Sequence, residues 1–162
     1  MGVAGVGKSS VMDALAERLR CPTAEGDALH PASNVEKMAA GIPLTDADRA
    51  PWLERIAAWI GDREAERTSS IVTCSALRRA YRDELRRGHP SVWFVHLVAP
   101  EEVIATRMEH RGGHFMPPTM LASQLETLEP LQPDEPGWAI DALAPPAEIA
   151  ERVITALGLD PG

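Results

Sequence analysis

The sequence predicts an α/β fold, a parallel β-sheet held between two layers of helices. Three observations carry that expectation. Short β-branched or aromatic runs alternate with stretches of helical periodicity along the whole chain. The run Ser70–Cys74 is short and apolar on both sides, as a strand covered on both faces must be. A glycine-rich turn at residues 2–9 leads directly into a helical pattern, a junction at home where a strand hands over to a helix.

Each element has its own reason. Residues 8 to about 20 read as a helix, with Val11, Leu15 and Leu19 on one face. Cys21–Gly26 is a short extended stretch leading to Asp27, and residues 31–40 form a short helix closed by Gly41. Thr45 and Asp48 have capping spacing, Pro51 suits a helix start, and Ile56, Trp59 and Ile60 keep helical spacing to about Arg67. Ala76–Arg87 should be helical and closed by Gly88 and Pro90, while Val92–Val98 is the most convincing strand. Glu101–His110 follows as a helix with Val103, Ile104 and Met108 inward, broken by Gly112 and Gly113. Pro117–Leu128 is a further helix, residues 129–137 a proline-rich loop, Trp138–Leu143 a weak last strand and Ala147–Leu157 the closing helix.

At 162 residues the chain is one domain with enough length for a proper core. Its net charge of −8 argues against broad nucleic-acid or acidic-membrane binding, so an anionic substrate needs a local basic pocket. Cys21 and Cys74 are too few for a disulfide framework and fit a reducing cytosol. No apolar run approaches membrane-spanning length. Of the 16 basic residues only Lys8 and Lys37 are lysine, which marks both as positions where a compact ammonium matters.

Lys8 belongs to the phosphate-binding pattern G-x-x-x-x-G-K-[ST]. Gly2, Val3, Ala4, Gly5, Val6, Gly7, Lys8 and Ser9, with Ser10 behind them, are the candidate nucleotide-binding residues. Glycines let successive N–H groups converge on phosphate oxygens at a helix N-terminus. Lys8 can reach the β- and γ-phosphates and the Ser9 hydroxyl can bind Mg²⁺. The ligand is ATP or GTP, and the absence of an N-K-x-D segment disfavours GTP. The motif should follow a buried strand, yet only Met1 precedes it. The expectation is therefore an N-terminus that properly lies upstream.

The acceptor must be read from a second cluster. Glu25 and Asp27 lie where the second expected strand ends, beside the ligand crevice of an α/β sheet. One carboxylate there can hold Mg²⁺ while the other accepts a hydroxyl proton during phosphoryl transfer. His30 follows closely. Arg49, Arg78, Arg79 and Arg82 are candidates for capturing a carboxylate or phosphate, with two of the four expected to point inward. Arg107 and Arg111 share a helical face before Gly112, Gly113, His114 and Phe115, an arrangement like a lid that closes over the moving phosphate.

Five segments together carry a resemblance: residues 2–9, 25–31 (E-G-D-A-L-H-P), 34–53, 74–86 and 113–116 (G-H-F-M). The chain resembles the gluconokinases, small P-loop kinases, over nearly its whole length. The resemblance implies a P-loop NTPase three-layer sandwich of five parallel strands, the first missing here, with a helical lid at about 107–128. It implies a single kinase domain over 1–162, ATP as co-substrate with Mg²⁺, and phosphorylation of D-gluconate at its 6-hydroxyl. It also implies a cytoplasmic enzyme, commonly a homodimer, with no nucleic-acid or membrane partner. Carried over residue by residue, Lys8, Asp27, Arg107 and Arg111 would be catalytic. Asp27, His30, Arg49, Arg78, Arg82 and His114 would bind substrate, and Ser9 and Glu25 would bind the metal. Two other readings remain open: a kinase of the same fold acting on shikimate, a nucleoside monophosphate or another small hydroxylated metabolite, and a catalytically inactive nucleotide-binding module.

Overall fold

The computed structural model describes residues 1–109 and 118–159, without the side chains of 118–120. Its strands are β1 (Thr23–Glu25), β2 (Ile71–Thr73), β3 (Phe94–Val98) and β4 (Gly137–Asp141). The helices are α1 (Lys8–Leu19), α2 (Ala32–Ala39), α3 (Asp46–Ala65), α4 (Arg79–Arg86), α5 (Glu101–Glu109), α6 (Pro118–Thr127) and α7 (Pro146–Leu157). All pairings are parallel: β1 with β2 from Thr23–Ile71 to Glu25–Thr73, and β3 with β4 from Phe94–Gly137 to Val98–Asp141.

Helices cover both faces of these strands, which gives the three expected layers. On one side α1 and α7 pack together, and Val11, Leu15, Ile149 and Val153 meet Leu97 and Ile140 in one core. On the other, Trp52, Leu53, Ile56 and Ile60 of α3 meet Tyr81 and Leu85 of α4. Ile56 is completely buried, and truncating such a side chain to alanine costs about 2–5 kcal/mol through lost burial and the cavity left behind.

The sheet itself departs from the expected single ladder. The four strands form two separate pairs, and Met1 and Gly2 hydrogen-bond to both sides between them. The Met1 ammonium donates to the Val95 carbonyl, Leu97 N–H donates to the Met1 carbonyl, and Gly2 N–H donates to the Ser75 carbonyl.

Three local departures have identifiable causes. Helix α3 starts at Asp46, before Pro51, because Thr45 and Asp48 form a reciprocal capping box. Pro51 then sits inside the helix, near enough to its start that few backbone bonds are lost. Helix α4 starts at Arg79, because Ala76 adopts a left-handed φ of 44° and Arg78 is extended. Between β1 and α2 the chain makes a 3-10 turn at Gly26–Leu29 that periodicity cannot reveal, and Asp27 lies within it.

Lys37 has a structural occupation. Its ammonium donates to Asp48 Oδ1 at 2.6 Å, tying α2 to the first turn of α3. That bond, with the Thr45 backbone and hydroxyl donors, brings the Asp48 pKa down to about 2.

Candidate active site

The phosphate loop comes first among the candidate residues. Gly2, Gly5 and Gly7 have φ of 135°, 78° and 110°, values that only glycine adopts without strain. Gly7 caps α1 with no side chain over it, so the helix's first N–H groups point outward. A methyl at Gly5 would run into Met108 of α5, so this curl also lets α5 pack against the loop. Lys8 Nζ donates to the Gly2 and Val3 carbonyls, each at 3.0 Å, and so lies back along its own loop.

Arg107 of α5 closes the loop from the other side. Its guanidinium donates to the Val6 carbonyl at 3.1 Å and the Ala142 carbonyl at 2.7 Å, joining the loop to the end of β4. A cavity of about 420 Å³ opens there, lined by Gly5, Gly7, Ser10, Arg107, Ala144 and Pro146 among others. That volume is within the range of small-ligand sites.

The turn that carries Asp27 hangs from the end of β2. Gly26 N–H donates to Thr73 Oγ1 at 3.3 Å, while Ser75, two residues on, holds Gly2 through its carbonyl at 3.2 Å. Gly26, the neighbour of Asp27, and Gly2, whose carbonyl accepts from Lys8, are thus held two residues apart at and just past the end of β2. Between those points sits the Cys74 thiol, whose pKa burial pushes up to about 11, with Asp27 raising and Lys8 lowering it. A Cβ at Gly26 would overlap the Thr73 carbonyl, so this position needs glycine for close approach.

Asp27 is solvent-facing, on a turn braced from below. Trp52 Nε1 donates to the Gly26 carbonyl at 2.7 Å, and the Trp52 ring stacks on His30 with centroids 4.2 Å apart and planes inclined by 13°. Asn34 Nδ2 donates to His30 Nδ1 and to the Asp48 carbonyl, leaving the proton of neutral His30 on Nε2. Burial lowers the His30 pKa, Asp27 opposes that shift, and Arg49 adds to it.

The four arginines divide evenly. Arg49 and Arg78 both lie over the Tyr81 ring, 5.7 and 5.9 Å from its centroid. Arg78 also pairs with Asp46 at 2.9 Å, and the Tyr81 hydroxyl donates to the same carboxylate. Arg79 and Arg82 face elsewhere. Arg79 forks onto Asp134, and Arg82, fully buried, pairs with Glu135 and donates to the Ala76, Leu77, Glu129 and Pro130 carbonyls. Arg82 is therefore not a substrate-binding residue but the anchor of the loop leading into β4; every donor it has is spent inside the protein. Its placement is a correction to the sequence expectation.

The metal candidates are less assembled. Glu25 accepts a hydrogen bond from the Thr73 hydroxyl, and Ser9 stands half-buried in the first turn of α1. No group of three or more His, Cys, Asp or Glu that could hold a metal lies among the described residues. Arg111 and His114 lie outside the described residues.

Sequence reasoning missed Tyr81, Trp52, Asn34 and Gln124. Gln124 of α6 accepts a hydrogen bond from the loop N–H of Ala4 at 2.7 Å. Tyr81 is the only tyrosine in the chain, a signal that was available, but nothing local links it to two arginines.

No protein-family model matches the chain. It is 46% identical over 154 residues to a gluconokinase of Gluconobacter oxydans, covering 95% of this chain and 86% of that protein. Thermosensitive gluconokinase of Escherichia coli is 45% identical, with 83% of this chain and 72% of that protein covered. Among solved structures, a sugar kinase from Janibacter superposes with a TM-score of 0.92 at 50% identity, covering 98% of this chain and 92% of that one. A gluconokinase from Sinorhizobium meliloti gives 0.84 at 51% identity, covering 98% and 89%.

Proposed function

This chain belongs to the gluconokinase family, and from that premise we propose that it transfers the γ-phosphoryl group of ATP to the 6-hydroxyl of D-gluconate. The observation that carries this reading is that the Asp27 turn and the phosphate loop are held two residues apart at and just past the end of β2. It supports a reading in which Asp27 serves as proton acceptor and Lys8 as phosphate-binding cation on one crevice, with Arg49 and Arg78, which meet on Tyr81, on the acceptor side.

Each residue then has a task. The outward N–H groups of Gly5, Gly7, Lys8 and Ser9 receive the phosphates, and Lys8 exchanges its own loop carbonyls for phosphate oxygens. Asp27 orients the acceptor hydroxyl and takes its proton late, as the loose transition state resolves. Arg49 and Arg78 hold the gluconate carboxylate, with His30 Nε2–H offering a donor nearby. Arg107 balances charge on the transferring group, and the cavity beside it receives the nucleoside. Most of the acceleration is positioning and electrostatics.

Mg²⁺ fits this site as an ion held chiefly by the nucleotide and water, which needs only one or two protein oxygens. Ser9 and Glu25 would hold it, and it would neutralise charge on the phosphate oxygens. Arg111 and His114 complete the reading as lid residues. A cytosolic homodimer belongs to it as well; no described helix is long and apolar enough to cross a membrane.

A coupled ATP assay offering gluconate, shikimate and nucleoside monophosphates in parallel tests the assignment. Turnover is expected with gluconate alone. Preference for another acceptor, or no transfer by a folded protein that binds ATP, would refute it.

A further inference from the structure

Helix α6 meets the phosphate loop through a face that carries both packing and a polar contact. Leu121 is buried in the same core as Val3 and Val6, with Leu125 and Leu128 packed at its margin. Gln124 lies three residues on from Leu121, on the same side of the helix. Its side-chain oxygen accepts a hydrogen bond from Ala4 N–H at 2.7 Å. A backbone N–H can only donate, so the oxygen of this amide, not its nitrogen, must face the loop.

Ala4 N–H belongs to the same peptide unit as the Val3 carbonyl, and that carbonyl accepts from Lys8 Nζ at 3.0 Å. In a planar trans peptide the two groups point in opposite directions. Gln124 therefore holds one side of a peptide plane whose other side carries the Lys8 ammonium. Turning this unit over would aim the N–H at the ammonium and the carbonyl at the Gln124 oxygen, donor against donor and acceptor against acceptor. The next two residues are pinned by α5. A Cβ at Gly5 would lie 2.5 Å from Met108, and the Val6 carbonyl accepts from Arg107 at 3.1 Å. Gln124 thus secures the first half of the loop as Arg107 secures the second.

We propose that Gln124 is a positioning residue for nucleotide binding: it locks the Val3–Ala4 peptide so that the loop keeps one shape when Lys8 leaves the Val3 carbonyl for a phosphate oxygen. It acts through the loop and not on the phosphates themselves. Without this lock, binding ATP must also order the peptide, and that cost shows as weaker affinity. The inference rests on the nucleotide half of the function proposed above and is independent of the acceptor.

Three chains test it: the native protein, Gln124→Leu, which keeps apolar packing and removes the acceptor, and Gln124→Glu, which keeps an acceptor oxygen. Amide exchange at Ala4 is followed without ligand, ATP with Mg²⁺ is titrated without gluconate, and KM is then measured for both substrates. Gln124→Leu is expected to exchange about 10-fold faster at Ala4 and to bind ATP about 10-fold more weakly. Its Tm and its KM for gluconate should match those of the native protein. Gln124→Glu is expected to keep Ala4 exchange as slow as the native chain does. Should the leucine variant not fold, Gln124→Asn, one methylene shorter, takes its place. Equal ATP affinity in the native and leucine chains would overturn the proposal. So would a loss that falls on gluconate instead, or Ala4 exchange as fast in Gln124→Glu as in Gln124→Leu. A native chain that binds no ATP would overturn the nucleotide reading as well, whereas native and leucine chains that bind it equally would defeat this inference alone.

Discussion

At the phosphate-loop end of the site, position is set mainly by neighbours in sequence. Three glycines with positive φ, an open helix start and a lysine folded onto its own loop lie within residues 2–9. At the acceptor end, Asp27 depends on Trp52, whose indole reaches the Gly26 carbonyl from 26 positions away along the chain, and on Asn34, which locks His30 to the start of α3. The arginines there meet on a tyrosine from α4. The difference teaches where generality and specificity reside. Holding a triphosphate takes backbone amides, which any sequence with the right glycines supplies. Choosing an acceptor takes side chains whose placement only tertiary packing provides.

The sharpest way to break the comparison is at Asp27. Asp27→Asn should reduce kcat by roughly 10²- to 10⁴-fold while leaving ATP affinity unchanged, read by steady-state kinetics and nucleotide titration. Near-normal turnover would mean that Asp27 is not the base and the acceptor end is arranged otherwise.

A second test concerns the platform beneath both ends. His96 in β3 is buried with neither ring nitrogen partnered among the described residues, and burial, with the Met1 ammonium and Arg82 adding and Glu135 opposing, lowers its pKa to about 4. Its unfolded value is 6.5, so the unfolded chain takes the proton first. The neutral ring's contribution is complete above about pH 6.5 and is lost as pH falls toward 4, an effect of roughly 3 kcal/mol. Urea midpoints measured across that range should fall for the native protein and fall less for His96→Leu; parallel curves would contradict the assignment.

Arg49→Ala should raise the KM for gluconate about 10- to 100-fold, the value of a lost charge-assisted bond pair, with the KM for ATP unmoved. A change in the ATP term instead would place Arg49 at the donor end. The smallest effect should come from Trp52→Phe, which keeps a ring against His30 but deprives the Gly26 carbonyl of its donor. About 1–2 kcal/mol of stability should go, with a lower kcat for gluconate and unaltered ATP binding. Equal damage to both substrates would show that the two ends are mechanically one.

Much of this was legible in the residues. The alternation of strands and helices, the phosphate loop and the strand-end carboxylates follow from patterns a few residues long, and local sterics suffice to read them. Lys37 is where such reading fell short: its rarity drew attention, and its partner proved to be the capping residue Asp48. Arg82 failed for a related reason. A guanidinium after a strand end looks the same in sequence whether it faces a crevice or a buried glutamate, and Glu135 lies 53 positions away. Arg111 and His114, beyond the described residues, remain sequence assignments.

What the sequence determined by itself was the layered α/β class, the nucleotide-binding turn and the family to which these segments point, because each rests on contacts between residues close in the chain. The tertiary structure alone decided which arginines meet on Tyr81, what holds the Asp27 turn in place, and that the strands fall into two ladders. Those outcomes depend on burial and on hydrogen bonds between distant segments, and no local pattern encodes a partner dozens of residues away.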